Sequence, residues 1–294
     1  MKEAHLPNGI RLMYEEMGEA GAPTIIAILG ITDNVTDWPN SLASPLIKAG
    51  FRVIRYELRD SGHSSHCGDD RPLDVSDFQP ALLEGRLPEA PYTLYDMVDD
   101  LMGLMDHVQL ETAALVGYSY GGAIAQLAAL RYPDRVRQLV CLQSTNYNPN
   151  LSSRSVDVAA AMAGACRTYA SRDEIIGAMT SLRLATNGTT FFMKEDEARA
   201  SATTSVDRTY YPAGTARMVL SRFSTEAWHD RTQNIERPTL ILHGTDDPIF
   251  RPDHALDMAN RIPGSTLRWL EGAGHNHPRA LQQIIIEEIL DFLA

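Results

Sequence analysis

Cysteine is scarce: Cys67, Cys141 and Cys166 are the only three in 294 residues. They cannot all pair, and their spacings are not those of a metal site, so neither a disulfide framework nor a zinc site organises the chain. They read as reduced thiols of a cytoplasmic protein. Long apolar runs are missing too. No stretch approaches the roughly 18 residues of a membrane span, and the opening MKEAHLPNGIRL lacks the apolar core of a secretory signal. Positive charge is in deficit, with 26 Lys and Arg against 38 Asp and Glu. A net charge of -12 argues against a nucleic-acid partner, which usually needs a basic patch. Tandem repeats and low-complexity tracts are absent. What is present is an ordinary globular composition, 44% hydrophobic and 22% charged. The length suits one large domain, or a domain with an insertion.

Several short apolar runs have the length and Val/Ile/Leu content of strands covered on both faces: TIIAILG (24–30), FRVIRYE (51–57), AALVGY (113–118), RQLVCLQ (137–143) and PTLILHG (238–244). TLRWLE (266–271) reads as the last strand, and IRLMYEEMG (10–18) as an early antiparallel one. Amphipathic stretches at 40–49, 94–108, 120–132, 253–261 and 278–293 fall between most of them. Strands alternating with helices predict an α/β fold around a mostly parallel, doubly wound sheet.

The alternation breaks after residue 143. The stretch 144–232 reads as an inserted helical cap, with helices near 155–170, 171–184 and 212–223, while 1–143 and 233–294 form the core domain. A second irregular stretch, 66–92, is proline-rich, acidic and longer than most connections, and is either a lid segment or a solvated excursion.

The sequence AALVGYSYGGAIAQLA places Ser119 between Gly117 and Gly121, after a strand and before a helix. G-x-S-x-G in that context describes a turn so tight that its serine takes strained backbone angles and side chains two before and two after would clash. The strain lifts the hydroxyl over the end of the sheet, at a helix N-terminus that favours developing negative charge. Gly122, Ala123 and Ala125 keep the helix thin.

A serine hydroxyl needs a base, and the base an orienting acid. In this arrangement the chain order is serine, acid, histidine. Four histidines follow the insertion. His243 lies at a strand end, in the core or at a pocket rim; His254 starts a helix and reads as a surface residue. His275, in LEGAGHNHP just after the last strand, sits where two glycines let the loop bend over the sheet edge; His277 before Pro278 reads as a helix-start residue. His275 is therefore the candidate base. The loop GTDDPIF after 238–244 offers two acids. Asp247, next to the proline that fixes the turn, is the candidate; Asp246 reads as a turn or capping residue. The oxyanion of an acyl-transfer intermediate needs two backbone N–H groups. Tyr120, directly after the serine, and Ile31 in LGITDN are the candidates, with Gly30 allowing a sharp turn.

GYSYGG, GTDDPIF and GAGH, in this order, resemble the α/β-hydrolase superfamily, over the whole chain except the insertion and 66–92. LGITDNVTDWP and VIRYELRDSGHS resemble, more narrowly, the aclacinomycin methylesterase branch, whose members remove a methyl ester from a glycosylated aromatic polyketide. The resemblance implies Ser119, Asp247 and His275 as a triad, with Ile31 and Tyr120 as oxyanion donors. The chain departs from that branch in carrying LGI where many relatives have HG or MGG, and in its longer 66–92 stretch.

The expected activity is hydrolysis of a carboxylic ester of a small molecule through an acyl-enzyme. Lactone, carbon–carbon or amide cleavage and perhydrolysis on the same triad, or a slow-turnover receptor, are the alternatives. Haloalkane dehalogenases and epoxide hydrolases need an aspartate where Ser119 stands. The cap segments MAGACRTYA, FFMKE, RTYYPAGTARMVLSRF and TEAW offer a lining for an apolar or aromatic substrate. Arg217 and Arg222 are expected in solvent unless they meet an anionic substrate group. The pairs Asp69-Asp70 and Asp99-Asp100 lack ligand spacing and read as solvated faces. No metal or organic cofactor and no membrane partner are implied.

Overall fold

The structure, a computed structural model, describes residues 1–70, 80–81 and 84–294. The sequence expectation of a lid or excursion at 66–92 falls partly outside them.

In chain order the elements are β1 (Lys2–His5), β2 (Arg11–Met17), β3 (Thr24–Ile28), α1 (Asn40–Lys48), β4 (Arg52–Tyr56), α2 (Leu94–His107), β5 (Ala113–Tyr118), α3 (Tyr120–Arg131) and β6 (Val136–Leu142). Then come α4 (Val156–Ala165), α5 (Arg172–Ala185), α6 (Glu195–Arg208), α7 (Pro212–Phe223), β7 (Thr239–Gly244), α8 (Pro252–Arg261), β8 (Thr266–Leu270) and α9 (Arg279–Leu293). The strands form one eight-stranded sheet in the order β1-β2-β4-β3-β5-β6-β7-β8. β1 and β2 are antiparallel, and the strands from β4 to β8 run parallel. This is the mostly parallel, doubly wound α/β sheet expected from the alternation.

The two faces of the sheet are covered separately. Ile25, Ala27, Val116 and Leu240 point to one side, against Leu42 and Leu46 of α1 and Ile285 and Ile289 of α9. Ile26, Ile28 and Leu115 point to the other, against α2 and α3. Burial on both faces explains why β3 and β5 are nearly continuous apolar runs rather than alternating ones. In α3 every residue from Tyr120 to Ala129 is buried, so the helix has no polar face to show.

β3 pairs with β4 on one side and β5 on the other, so the strand order reverses there. The loops after β3 and β5 therefore diverge to opposite faces, leaving a crevice at the carboxyl ends of the strands where ligands of such sheets bind.

Four helices, α4 to α7, lie between β6 and β7. Three were expected; α6 was not, because EDEARASATTSVDR has no apolar stripe and buries only Ala198, Ala202, Ser205 and Val206. Ion pairs fasten these helices to the strand ends. Arg217 of α7 meets Asp60 at 2.8 Å, with both side chains buried, and Arg208 of α6 meets the fully buried Glu57 at 2.9 Å. Arg217 is thus a buried structural cation and not a solvated one. Asp100 corrects a second expectation: it is 2% exposed, bonded to Arg59 at 2.6 Å and to Asn8 at 2.8 Å. Among the described residues no helix is long and apolar enough to cross a membrane.

Candidate active site

Ser119 sits between β5 and α3 with φ 53° and ψ -118°, a left-handed strained conformation for a residue with a Cβ. The glycines around it are sterically required. A Cβ on Gly117 would stand 2.4 Å from the Gly121 carbonyl oxygen, and one on Gly121 would stand 2.2 Å from that of Ile28. Gly122 is equally closed, by Ser144 at 2.3 Å.

His275 follows β8 and Asp247 follows β7. Asp247 Oδ2 lies 2.7 Å from His275 Nδ1, and His275 Nε2 lies 2.9 Å from Ser119 Oγ. A carboxylate only accepts, so Nδ1–H donates to Asp247 and the neutral ring presents its lone pair at Nε2 to the serine O–H. The other Asp247 oxygen accepts from the Ile249 and Phe250 N–H groups at 2.8 and 3.0 Å, which fixes the carboxylate plane. Burial pushes the Asp247 carboxyl up, but His275, His243 and the Phe250 N–H together hold it below the usual carboxylate value. The acid is therefore ionised and aimed.

Ile31 and Tyr120 line the same cavity as Ser119 and His275. No turn, loop or side-chain acceptor takes up either backbone N–H among the described residues. The sharp turn in this loop is at Thr32, with φ 71°, and not at Gly30. Gly30 serves instead as a gap: Asp33 Oδ2, which accepts from the Gly30 N–H at 2.9 Å, and the Tyr118 ring both come within 3.2 Å of where its Cβ would be.

The remaining candidates separate clearly. His243 is a core residue whose Nε2 meets the Phe250 carbonyl at 2.7 Å. His254, expected at the surface, is buried, with Nδ1 2.7 Å from Thr145 Oγ1 and Nε2 2.9 Å from the Ser152 carbonyl; two polar loop atoms compensate its burial. His277 does precede the last helix, but it is also buried against the Tyr118 ring, with Nε2 2.6 Å from Gln143 Oε1. Burial, and then the neighbouring His275, pushes it down to about 3. Asp246 is a cross-link, accepting from the Thr189 N–H at 3.1 Å and from its hydroxyl.

Sequence reasoning missed three residues of the site. Tyr118 donates to the His275 carbonyl at 2.7 Å. Asp33 lines the cavity, and its carboxyl is pushed up to about 8 by burial and then by Asp37. Asn276, bonded to the Arg183 carbonyl at 2.9 Å, ties the histidine loop to α5. Only Tyr118 had a visible signal, its place inside G-x-S-x-G.

The cavity has a volume of about 640 Å³. The stretch between β6 and β7 contributes Met162, Cys166, Met193, Val219 and Phe223 to its wall, whereas Trp228 packs in the core. A strained serine, a hydrogen-bonded imidazole and two unengaged N–H groups beside one cavity can support nucleophilic attack on a carbonyl.

Known proteins bear on this geometry. The family profile described as the alpha/beta hydrolase fold matches residues 23–277. Among curated proteins, the chain is 26% identical to rhodomycin D methylesterase DnrP of Streptomyces peucetius, over 93% of this chain and 92% of that one. It is 28% identical to 2-hydroxymuconate semialdehyde hydrolase of Pseudomonas sp. strain CF600, over 91% and 84%. Among solved structures, the enol-lactonase of Burkholderia xenovorans LB400 superposes with a TM-score of 0.75 at 23% identity, over 99% of both chains, a likeness of fold.

Proposed function

We propose that the chain, which belongs to the α/β hydrolase fold family, is a serine hydrolase that cleaves a carboxylic ester of a small apolar or aromatic molecule. The observation that carries this is the unbroken hydrogen-bond chain from Asp247 through His275 to Ser119, at 2.7 and 2.9 Å, on a serine with φ 53°. His275 takes the Ser119 proton as the oxygen attacks the ester carbonyl. The N–H groups of Ile31 and Tyr120 hold the developing oxyanion. His275 then protonates the leaving alcohol, and water, activated by the same imidazole, releases the acid from the acyl-enzyme. Asp247 keeps the imidazole in the required tautomer throughout.

Residues 144–232 act as a cap that selects the substrate, with the core of 1–143 and 233–294 carrying the chemistry. The apolar wall of Met162, Val219, Phe223, Ile249 and Phe250 supports an apolar or aromatic substrate.

The test is a p-nitrophenyl ester series from acetate to dodecanoate, run on the wild-type protein and on Ser119→Ala. Turnover confined to the wild type is the expected result, with the optimum chain length measuring the cavity. Turnover that survives in Ser119→Ala would overturn the reading.

A further inference from the structure

Arg222 breaks a pattern that otherwise holds through the chain. Among the described residues, every other buried or half-buried arginine has a carboxylate within 4.0 Å. Arg52 meets Glu16 at 2.7 Å, Arg59 meets Asp100 at 2.6 Å and Arg217 meets Asp60 at 2.8 Å. Arg222 is half-buried and has none, in a protein whose acids outnumber its Lys and Arg by 38 to 26.

What surrounds Arg222 is aromatic. Its guanidinium lies 4.2 Å over the Tyr147 ring and 5.4 Å from that of Trp228. Nη2 donates to the Tyr147 carbonyl at 3.3 Å, while the buried Nε has no partner. Burial lowers this guanidinium from its ordinary value, whereas Arg217, hydrogen-bonded to Asp60, is raised. Arginine does not lose its proton in a protein, so the charge stays and is left uncompensated. Ring stacking holds the guanidinium plane in place; with Nε buried and Nη2 engaged, Nη1, which has no partner among the described residues, is the donor left for a carboxylate.

The position is as informative as the charge. Arg222 lines the same cavity as Ser119. A continuous aromatic wall joins them: the His275 ring lies 5.6 Å from Phe250, Phe250 lies 5.8 Å from Tyr147, and Tyr147 carries Arg222. Tyr120, next to the serine, fixes the helix turn that presents Arg222, through a 2.7 Å hydrogen bond with Ser221. The exposed Arg154, also without a carboxylate among the described residues, lines the cavity too.

We propose that Arg222 is an anion subsite of the Ser119 cavity, and that the substrate is an ester or lactone bearing a second, free carboxylate that binds there. This rests on the serine-hydrolase reading above. The scissile carbonyl sits at Ser119, the apolar spacer runs along Phe250 and Tyr147, and the free carboxylate accepts from Arg222 Nη1. A neutral ester of the same shape leaves the cation unpaired and is discriminated against on that ground.

The test compares mono-p-nitrophenyl esters of the straight-chain dicarboxylic acids from adipic to azelaic with their methyl p-nitrophenyl diesters. At the length that spans the wall, kcat/KM of the half-ester should exceed that of the diester by about 10- to 100-fold, the scale of a charge-assisted hydrogen bond. Arg222→Gln should bring that ratio close to unity, and Arg222→Lys should keep part of it. Because the readout is a ratio, loss of folded protein in a variant does not alter it. No preference at any length, or a preference that survives in Arg222→Gln, overturns the proposal. Binding to Ser119→Ala, measured by calorimetry, separates the two readings. If no ester is turned over, the hydrolase reading fails alone. The anion subsite then stands if monomethyl half-esters bind this variant more tightly than dimethyl diesters and adding Arg222→Gln removes the difference. Equal binding overturns it.

Discussion

The Tyr118 hydroxyl donates to the main-chain carbonyl of His275 at 2.7 Å. The residue before Ser119 thus holds the loop that carries His275, and its ring also packs against His277. Removing the hydroxyl should loosen His275 without touching the chemistry. Tyr118→Phe should lower kcat by about 10-fold, one hydrogen bond's worth, with KM little changed. Steady-state kinetics on a p-nitrophenyl ester checks this; an unchanged kcat would mean that the loop needs no such tie.

Asp247→Asn keeps the shape but offers His275 Nδ1 an amide in place of a carboxylate. The ring then favours the wrong tautomer, and kcat should fall by about 10³- to 10⁴-fold while the fold survives. Circular dichroism and single-turnover rates together test it. A loss of less than 10-fold would transfer the orienting role elsewhere, and Asp246 would be examined next.

Gly121→Ala places a Cβ 2.2 Å from the Ile28 carbonyl oxygen, a backbone atom that cannot step aside. The helix must shift away from β3, destabilising the protein by about 3 kcal/mol or more. Urea denaturation should show this as a lower midpoint, or the variant should fail to accumulate in folded form. A midpoint equal to that of wild type would contradict the close approach.

Two buried groups give opposite pH dependences of stability. Asp33 is pushed up to about 8, first by burial and then by Asp37, so between roughly pH 4 and 8 the folded state keeps a proton that the unfolded chain has released. Its contribution is therefore present at low pH and lost as pH rises through 8. His277, pushed down to about 3 by burial and by His275, does the reverse: its contribution is present above pH 6.5 and lost as pH falls toward 3. Between about pH 4 and 6.5 the two cancel. From pH 6.5 to 8 Asp33 prevails, lowering the unfolding free energy by about 1 kcal/mol per pH unit. Urea titrations of wild type and Asp33→Asn across this range should diverge with that slope. Parallel curves would show that Asp33 is already ionised at neutral pH.

Much of this was legible in the sequence because it rests on local rules. The parallel strands appeared as apolar runs since both faces of β3, β5 and β7 are covered. The strain at Ser119 was announced by Gly117 and Gly121, and the order Ser119, Asp247, His275 follows the strand ends along the chain. Contacts between segments distant in sequence were not legible. The pairing of Arg217 with Asp60, of Arg59 with Asp100 and of His254 with Thr145 depends on which loop ends the topology brings together. α6 escaped notice because its buried face is mainly alanine. The sequence offered Arg217 and Arg222 alike, and they separate only through the pairing of Arg217 with Asp60.

The central claim is that Ser119 is the nucleophile, and fluorophosphonate labelling followed by peptide mass mapping tests it most directly. The account predicts one adduct, on the peptide containing Ser119, with loss of ester hydrolysis in proportion to labelling and with labelling strongly slowed in Asp247→Asn. Full hydrolytic activity in a protein carrying that adduct, or an adduct on another residue with Ser119 unmodified, would contradict it.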